Sequence, residues 1–131
     1  MKRLAILIGC LMLACPAMAT SEFSKKWKEQ YSGGDDIDQE FKDKVKKAGC
    51  YVCHVKGEDK KKVRNEYGQA VQKYLKAKDF PKDYVKENPE EAKQKILAGF
   101  KKANELKSTD DTKFGDKIKS NELPATDAGL E

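Results

Sequence analysis

Two cysteines and the only histidine of the chain stand together as Cys50-Tyr51-Val52-Cys53-His54. Thiols at this spacing can close a disulfide, hold a soft metal ion or form thioether bonds, and an imidazole is a common ligand of transition metals. In a chain of 131 residues with four cysteines and one histidine, the chance of this arrangement is on the order of one in a thousand. We therefore expect the chemistry of the protein at residues 50–54.

The order C-x-x-C-H is the attachment signature of c-type haem. Two thiols separated by two residues can each add to one vinyl group of a porphyrin, and the adjacent imidazole is then held against the iron from the same side. The sequence predicts one covalently bound haem c, with Cys50 and Cys53 as the thioether residues and His54 as the proximal iron ligand.

The first nineteen residues have the pattern of a secretory signal peptide. A basic start at residues 2–3 is followed by an apolar run at residues 4–14 and by the cleavage pattern Ala17-Met18-Ala19. Such a run is too short to cross a ~30 Å hydrocarbon core as a helix, so no transmembrane anchor is expected. Acylation at Cys15 is a weaker alternative, because Met12 stands where leucine is usual. The prediction is export to the periplasm or an equivalent oxidising compartment.

Cleavage after Ala19 would leave a chain with two cysteines, one histidine and no methionine. A structural zinc site would then lack its fourth Cys or His ligand. A thioredoxin-like pair requires a strand before the motif, where the sequence indicates a helix. A plain disulfide remains possible in an oxidising compartment but gives no role to His54.

With its signal peptide, an early C-x-x-C-H at residues 50–54 and a helical remainder, the chain resembles the small monohaem c-type cytochromes of class I size. A narrower similarity is to the lysine-rich small cytochromes of anammox-type bacteria, some of which have unusual distal ligands. The resemblance implies an all-α fold, a cytochrome c-like bundle of three to five helices wrapped around one covalently bound haem. It also implies transfer of single electrons between protein partners rather than enzymatic catalysis.

The distal methionine usual in that family has no counterpart after residue 19. The sixth iron position is therefore expected to be open or weakly occupied. The alternatives are a lysine or the Thr20 amine, a tyrosine such as Tyr67 or Tyr74, or a ligand lent by a partner chain. An open site gives the alternative function of a five-coordinate haem protein that binds CO or NO, while peroxidase-like chemistry is disfavoured without a second histidine.

Apolar periodicity predicts several helices and no strand. A first helix carries an aromatic stripe, Phe23, Trp27 and Tyr31, and the next, capped by Asp36, leads to the motif. Further helices are predicted over 63–75, from Asn88-Pro89 onward, and as a short turn at 114–118, with a connector at 84–85. The domains are a signal peptide (1–19), an N-terminal extension (20–34), the haem domain (35–123) and a flexible tail (124–131).

Apolar residues on the core-facing sides of these helices are the candidates for the haem pocket. They are Phe41, Val45, Tyr67, Val71, Phe100 and Phe114. Only about 31% of the residues after position 19 are apolar, so the buried face of a porphyrin would add needed apolar area.

The formal charge of the whole chain is +5, from 27 basic and 22 acidic residues. After residue 19 all basic residues but Arg64 are lysines. Nucleic-acid modules usually cluster arginine, so a nucleic-acid partner is not expected. The lysines could steer an acidic redox partner, and the aromatic stripe could instead dock the chain as a haem subunit of a hetero-oligomer.

Overall fold

The computed structural model describes residues 17–60 and 62–130. This part of the chain is mostly helical and contains no β-strand, which confirms the all-α prediction. Its six α-helices are α1 (Ala17–Tyr31), α2 (Gln39–Ala48), α3 (Glu66–Tyr74), α4 (Lys82–Glu87), α5 (Pro89–Asn104) and α6 (Phe114–Lys119). Short 3₁₀ turns occupy Gly49–Val52 and Ala77–Asp79.

The described residues thus hold more helices than the predicted three to five, and the additional one is α4. Residues 84–85 were expected on a connector, but they lie in this helix. Pro81 precedes it with φ −63° and ψ 153°, an extended conformation from which a helix can start. Tyr84 packs on Phe80, with ring centroids 6.3 Å apart, so tertiary packing supports a helix too short for periodicity to reveal.

Helix α5 is the centre of the fold, because α1, α3, α4 and α6 all contact it. Its buried apolar residues include Ala92, Ile96, Phe100 and Ala103. They join buried residues of the other helices in one continuous hydrophobic core.

Two helices begin later than the sequence predicted. Asp38, rather than Asp36, caps α2, and its side chain accepts a hydrogen bond from the Phe41 amide at 3.1 Å. Helix α3 begins at Glu66 with Asn65 as its cap, whereas periodicity placed the start at Val63. Hydrophobic spacing does not show which of several neighbouring polar residues is the N-cap of a helix.

The aromatic stripe of the N-terminal extension packs inward. Trp27 is buried, and its indole Nε1 donates a 2.8 Å hydrogen bond to the Tyr67 hydroxyl. That hydroxyl donates to Asn104 Oδ1 at 2.8 Å, and Asn104 Nδ2 donates to the Tyr31 hydroxyl at 2.9 Å. A chain of hydrogen bonds therefore joins α1, α3 and α5 through the core, and the stripe is not available as a free docking face.

The C-terminal segment was predicted to be a flexible tail, yet residues 124–130 are anchored to the body. Ala128 is buried, and its carbonyl accepts from the Lys56 amide at 2.8 Å. Thr126 donates to the Glu66 carboxylate through both its amide and its hydroxyl, each at 2.8 Å. The anchoring groups lie at least 60 residues apart in sequence, so local composition could not indicate them.

The predicted signal peptide lies mostly outside the described residues. Within residues 17–60 and 62–130, no helix combines the length and the apolar character needed to cross a bilayer.

Candidate haem-attachment site

The predicted attachment motif lies at the junction between α2 and α3. Gly49 ends α2 with φ 54° and ψ −117°, a positive φ that favours glycine, and its amide donates to the Val45 carbonyl. The chain then enters the 3₁₀ turn Gly49–Val52. The His54 amide donates to the Cys50 carbonyl at 3.1 Å, so the two ends of the motif are brought together by a tight turn.

Both thiols of the motif are free, and they differ in accessibility. Cys50 is exposed, whereas Cys53 is half-buried. Burial raises the pKa of the Cys53 thiol to about 12, although the nearby positive charge of Arg64 opposes the shift. Cys53 is therefore a protonated thiol at neutral pH, and Cys50 is the more accessible nucleophile.

The imidazole of His54 is oriented by the backbone. Its Nδ1 lies 3.0 Å from the carbonyl oxygen of Val63. Because a carbonyl can only accept, this contact assigns the proton to Nδ1 and leaves the Nε2 lone pair of the neutral ring free to bind a metal. In metal sites, the ligating histidine typically donates its other ring N–H to a carbonyl or carboxylate oxygen in this way.

Asn65 clamps the motif from inside the protein. Its side chain is fully buried, and Nδ2 lies within hydrogen-bond distance of the carbonyls of Tyr51 (3.0 Å), Val52 (3.0 Å) and His54 (3.3 Å). The backbone N–H of Asn65 also donates to the Cys53 carbonyl at 3.0 Å. Four backbone carbonyls of the motif thus point at one residue, which fixes the turn that carries both thiols and the imidazole.

Gly68 lets α3 approach this turn closely. Its amide donates to Asn65 Oδ1 at 2.8 Å, which completes the cap of α3. A Cβ at position 68 would lie 2.0 Å from the Cys53 carbonyl oxygen, so no other residue fits without displacing the motif. In the sequence Gly68 is only a weak point of a helix. Asn65 followed by the acidic Glu66 is a capping pattern that could have identified Asn65, whereas the role of Gly68 depends on its contact with Cys53.

The six residues predicted to line the haem pocket all lie in the hydrophobic core, each 7% exposed or less. Tyr67 and Phe114 are in direct contact, with ring centroids 5.2 Å apart. Of these six residues, Phe114 lines a surface cavity of about 370 Å³. None of the six lines a second surface cavity of about 410 Å³. Neither cavity includes Cys50, Cys53 or His54. The structure brings the six together, and their contact with haem stays a prediction.

The two tyrosines considered as distal ligands have different environments. The Tyr67 hydroxyl is engaged by Trp27 and Asn104, and burial raises its pKa well above the usual value. Forming a phenolate there would break one of these hydrogen bonds and leave a charge in the core. Tyr74 is 42% exposed. The geometry therefore disfavours Tyr67 as an iron ligand.

The donor set fits a haem better than a metal held by protein groups alone. A haem iron takes four nitrogens from the porphyrin and needs one oriented imidazole from the chain, and His54 is such a group. Across the described ranges, no three or more His, Cys, Asp or Glu side chains are grouped so that they could hold a metal ion together. Comparison of the chain with protein-family models, with curated proteins and with solved structures finds no match.

Proposed function

We propose that the protein is a monohaem c-type cytochrome, exported to the periplasm by a cleavable signal peptide, that passes single electrons between protein partners. Haem bound at Cys50 and Cys53 would supply the one-electron chemistry. The orientation of His54 is the observation that carries the proposal: Nδ1 is fixed on the Val63 carbonyl and Nε2 is left as the ligand atom.

The backbone around the motif supports the same assignment. In a c-type haem site, two thiols each form a thioether with one vinyl group and an imidazole from the same segment binds the iron. Asn65 and Gly68 hold that turn through contacts with the motif backbone, leaving the Cys50 thiol exposed for reaction. Within the chain, Cys50 and Cys53 would hold the porphyrin and His54 would present Nε2 to the iron.

The test is expression with its own leader in a bacterium that carries a cytochrome c maturation system. The exported protein should gain the mass of one haem and give the pyridine haemochrome spectrum of haem c. Cys50→Ser with Cys53→Ser should abolish the gain, whereas the control Cys15→Ser should retain it. Exported, folded protein without covalent haem would overturn the proposal.

A second candidate function is binding of a gas ligand at an open sixth position. It is favoured by a sequence with no histidine besides His54 and no methionine after Met18, and by the engagement of the Tyr67 hydroxyl within the core. Absorption spectra of the reduced protein with and without CO decide between the two. A low-spin spectrum unchanged by CO supports electron transfer and an internal sixth ligand, while a high-spin spectrum that shifts supports gas binding.

The lysine-rich surface agrees with an acidic redox partner, which would make the rate of electron transfer fall as salt rises. Assembly as the haem subunit of a hetero-oligomer is the remaining alternative. Gel filtration of the purified cytochrome with its partner would distinguish a transient from a stable complex.

A further inference from the structure

A lysine-rimmed groove between α1, α4 and α5 is separate from the motif. It is a cavity of about 410 Å³ whose inner wall is apolar, with Phe80, Val85, Ala92 and Ile96. Its rim carries the lysines Lys25, Lys26, Lys82, Lys86 and Lys93 and the acids Glu22 and Glu90. A volume of this size lies in the range of natural binding pockets.

The rim carries more lysines than acids, and most of these lysines lack a salt bridge to a described residue. Lys26 pairs with Glu29 at 3.1 Å, but Lys25, Lys82, Lys86 and Lys93 form no salt bridge with any described residue. By contrast, Lys95, which lies on α5 outside the groove, forms a salt bridge with Glu91 at 2.6 Å. The groove therefore combines an apolar wall with a surplus of positive charge.

We infer that the groove between α1, α4 and α5 binds an acidic segment of a partner protein that inserts one apolar side chain between the rim lysines. The apolar wall would take the inserted side chain, and the four lysines without salt bridges would face the flanking carboxylates. The rim acids Glu22 and Glu90 would repel a partner surface that is negatively charged throughout. A short acidic segment would avoid this repulsion by placing its carboxylates only beside the lysines.

The shape of the surface favours a protein segment over a membrane. Binding to a lipid surface usually needs apolar side chains that protrude into the bilayer. The large exposed hydrophobics of the described residues are Tyr74 and Leu130, and neither lines the groove. A concave site with a charged rim instead accepts a side chain from its partner. The inference does not depend on the haem.

The test uses a fluorescein-labelled peptide of aspartate and glutamate with one central phenylalanine, added to the purified exported protein. Fluorescence anisotropy should show binding that weakens with salt and weakens again when the phenylalanine is replaced by alanine. The combined substitution Lys82→Gln, Lys86→Gln and Lys93→Gln should weaken binding about tenfold, since several rim charges are lost together. Val85→Ser should weaken it without changing the charge.

The matched control is Lys46→Gln, Lys47→Gln and Lys102→Gln, which removes the same charge from exposed positions outside the groove. It should change the affinity less than threefold. No binding of the peptide, or equal losses in the two triple variants, would overturn the inference. So would sedimentation of the protein with vesicles of anionic phospholipid that is lost in the groove variant, because that result would assign the groove to a membrane. Haem content is measured separately, so failure here leaves the proposed function intact.

Discussion

Replacing Asn65 by aspartate distinguishes a residue that only caps α3 from one that holds the haem-attachment motif. Aspartate and asparagine are about equally good caps, so a capping role alone predicts almost no change in stability. In the structure, however, Asn65 Nδ2 faces three carbonyl oxygens at 3.0, 3.0 and 3.3 Å. Asn65→Asp would place a carboxylate oxygen against them.

The expected magnitude follows from the bonds that are lost. The two Nδ2 hydrogens and Oδ1 make the equivalent of three buried hydrogen bonds, each contributing about 1 kcal/mol, with further cost for groups left unsatisfied. Asn65→Ala should therefore lower the free energy of unfolding by about 3 kcal/mol. Asn65→Asp should lose at least as much at neutral pH, because repulsion is added to the lost donors.

The assay is urea unfolding followed by far-ultraviolet circular dichroism. Burial beside carbonyls should raise the pKa of the introduced aspartate above its unfolded value, so the deficit relative to wild type should narrow as pH falls from about 8 to about 5. The matched control is Asp38→Asn at the cap of α2, expected within about 0.5 kcal/mol of wild type. If Asn65→Asp is equally neutral, Asn65 is no more than a cap and the clamp on the motif is refuted.

Three further predictions test other parts of the structure. Alanine normally stabilises a helix by ~1 kcal/mol relative to glycine. Gly68→Ala should instead destabilise the protein by a few kcal/mol, because the added Cβ would lie 2.0 Å from the Cys53 carbonyl oxygen. A variant that is as stable as wild type in urea unfolding, or more stable, would contradict this contact. At Glu66, burial raises the carboxyl pKa but hydrogen bonds from Ser108, Thr109 and Thr126 lower it more, to about 2, so its stabilisation is complete above the ordinary value of 4.5 and is lost as pH falls toward 2. Glu66→Gln should make the melting temperature depend less on pH between 4.5 and about 2. A variant with the same pH dependence as wild type would refute this role of Glu66. Tyr67→Phe should lower the free energy of unfolding by about 2–4 kcal/mol, because it leaves the hydrogen-bonding groups of Trp27 and Asn104 unsatisfied in the core. Adding Trp27→Phe should cause much less further loss than Trp27→Phe causes alone. Additive losses in the double variant would refute a shared hydrogen-bond network.

The sequence predicted the residues of the candidate site but not the groups that arrange them. Cys50, Cys53 and His54 stand in one pentapeptide, so their proximity is a property of the chain itself. Asn65 and Val63 lie nine or more positions from the residues they orient. Their part depends on the path of the intervening loop, which no periodicity encodes.

The same contrast applies to the helices. The strongly amphipathic segments of α2, α3 and α5 were predicted because burial of one helical face leaves a repeat in the sequence. Helix α4 and the caps at Asp38 and Asn65 were missed, because short helices and exact boundaries depend on contacts made after folding.

The sequence by itself determined the all-helical class, the predicted attachment pentapeptide and six apolar residues that reach the core, since spacing and residue type are local properties. Only the tertiary structure decided that Asn65 and Gly68 support the motif, that Trp27 and Tyr67 share a hydrogen bond in the core, and that residues 124–130 are anchored. These arrangements join segments distant along the chain, and hydrogen-bond geometry and steric fit select them only when the segments meet.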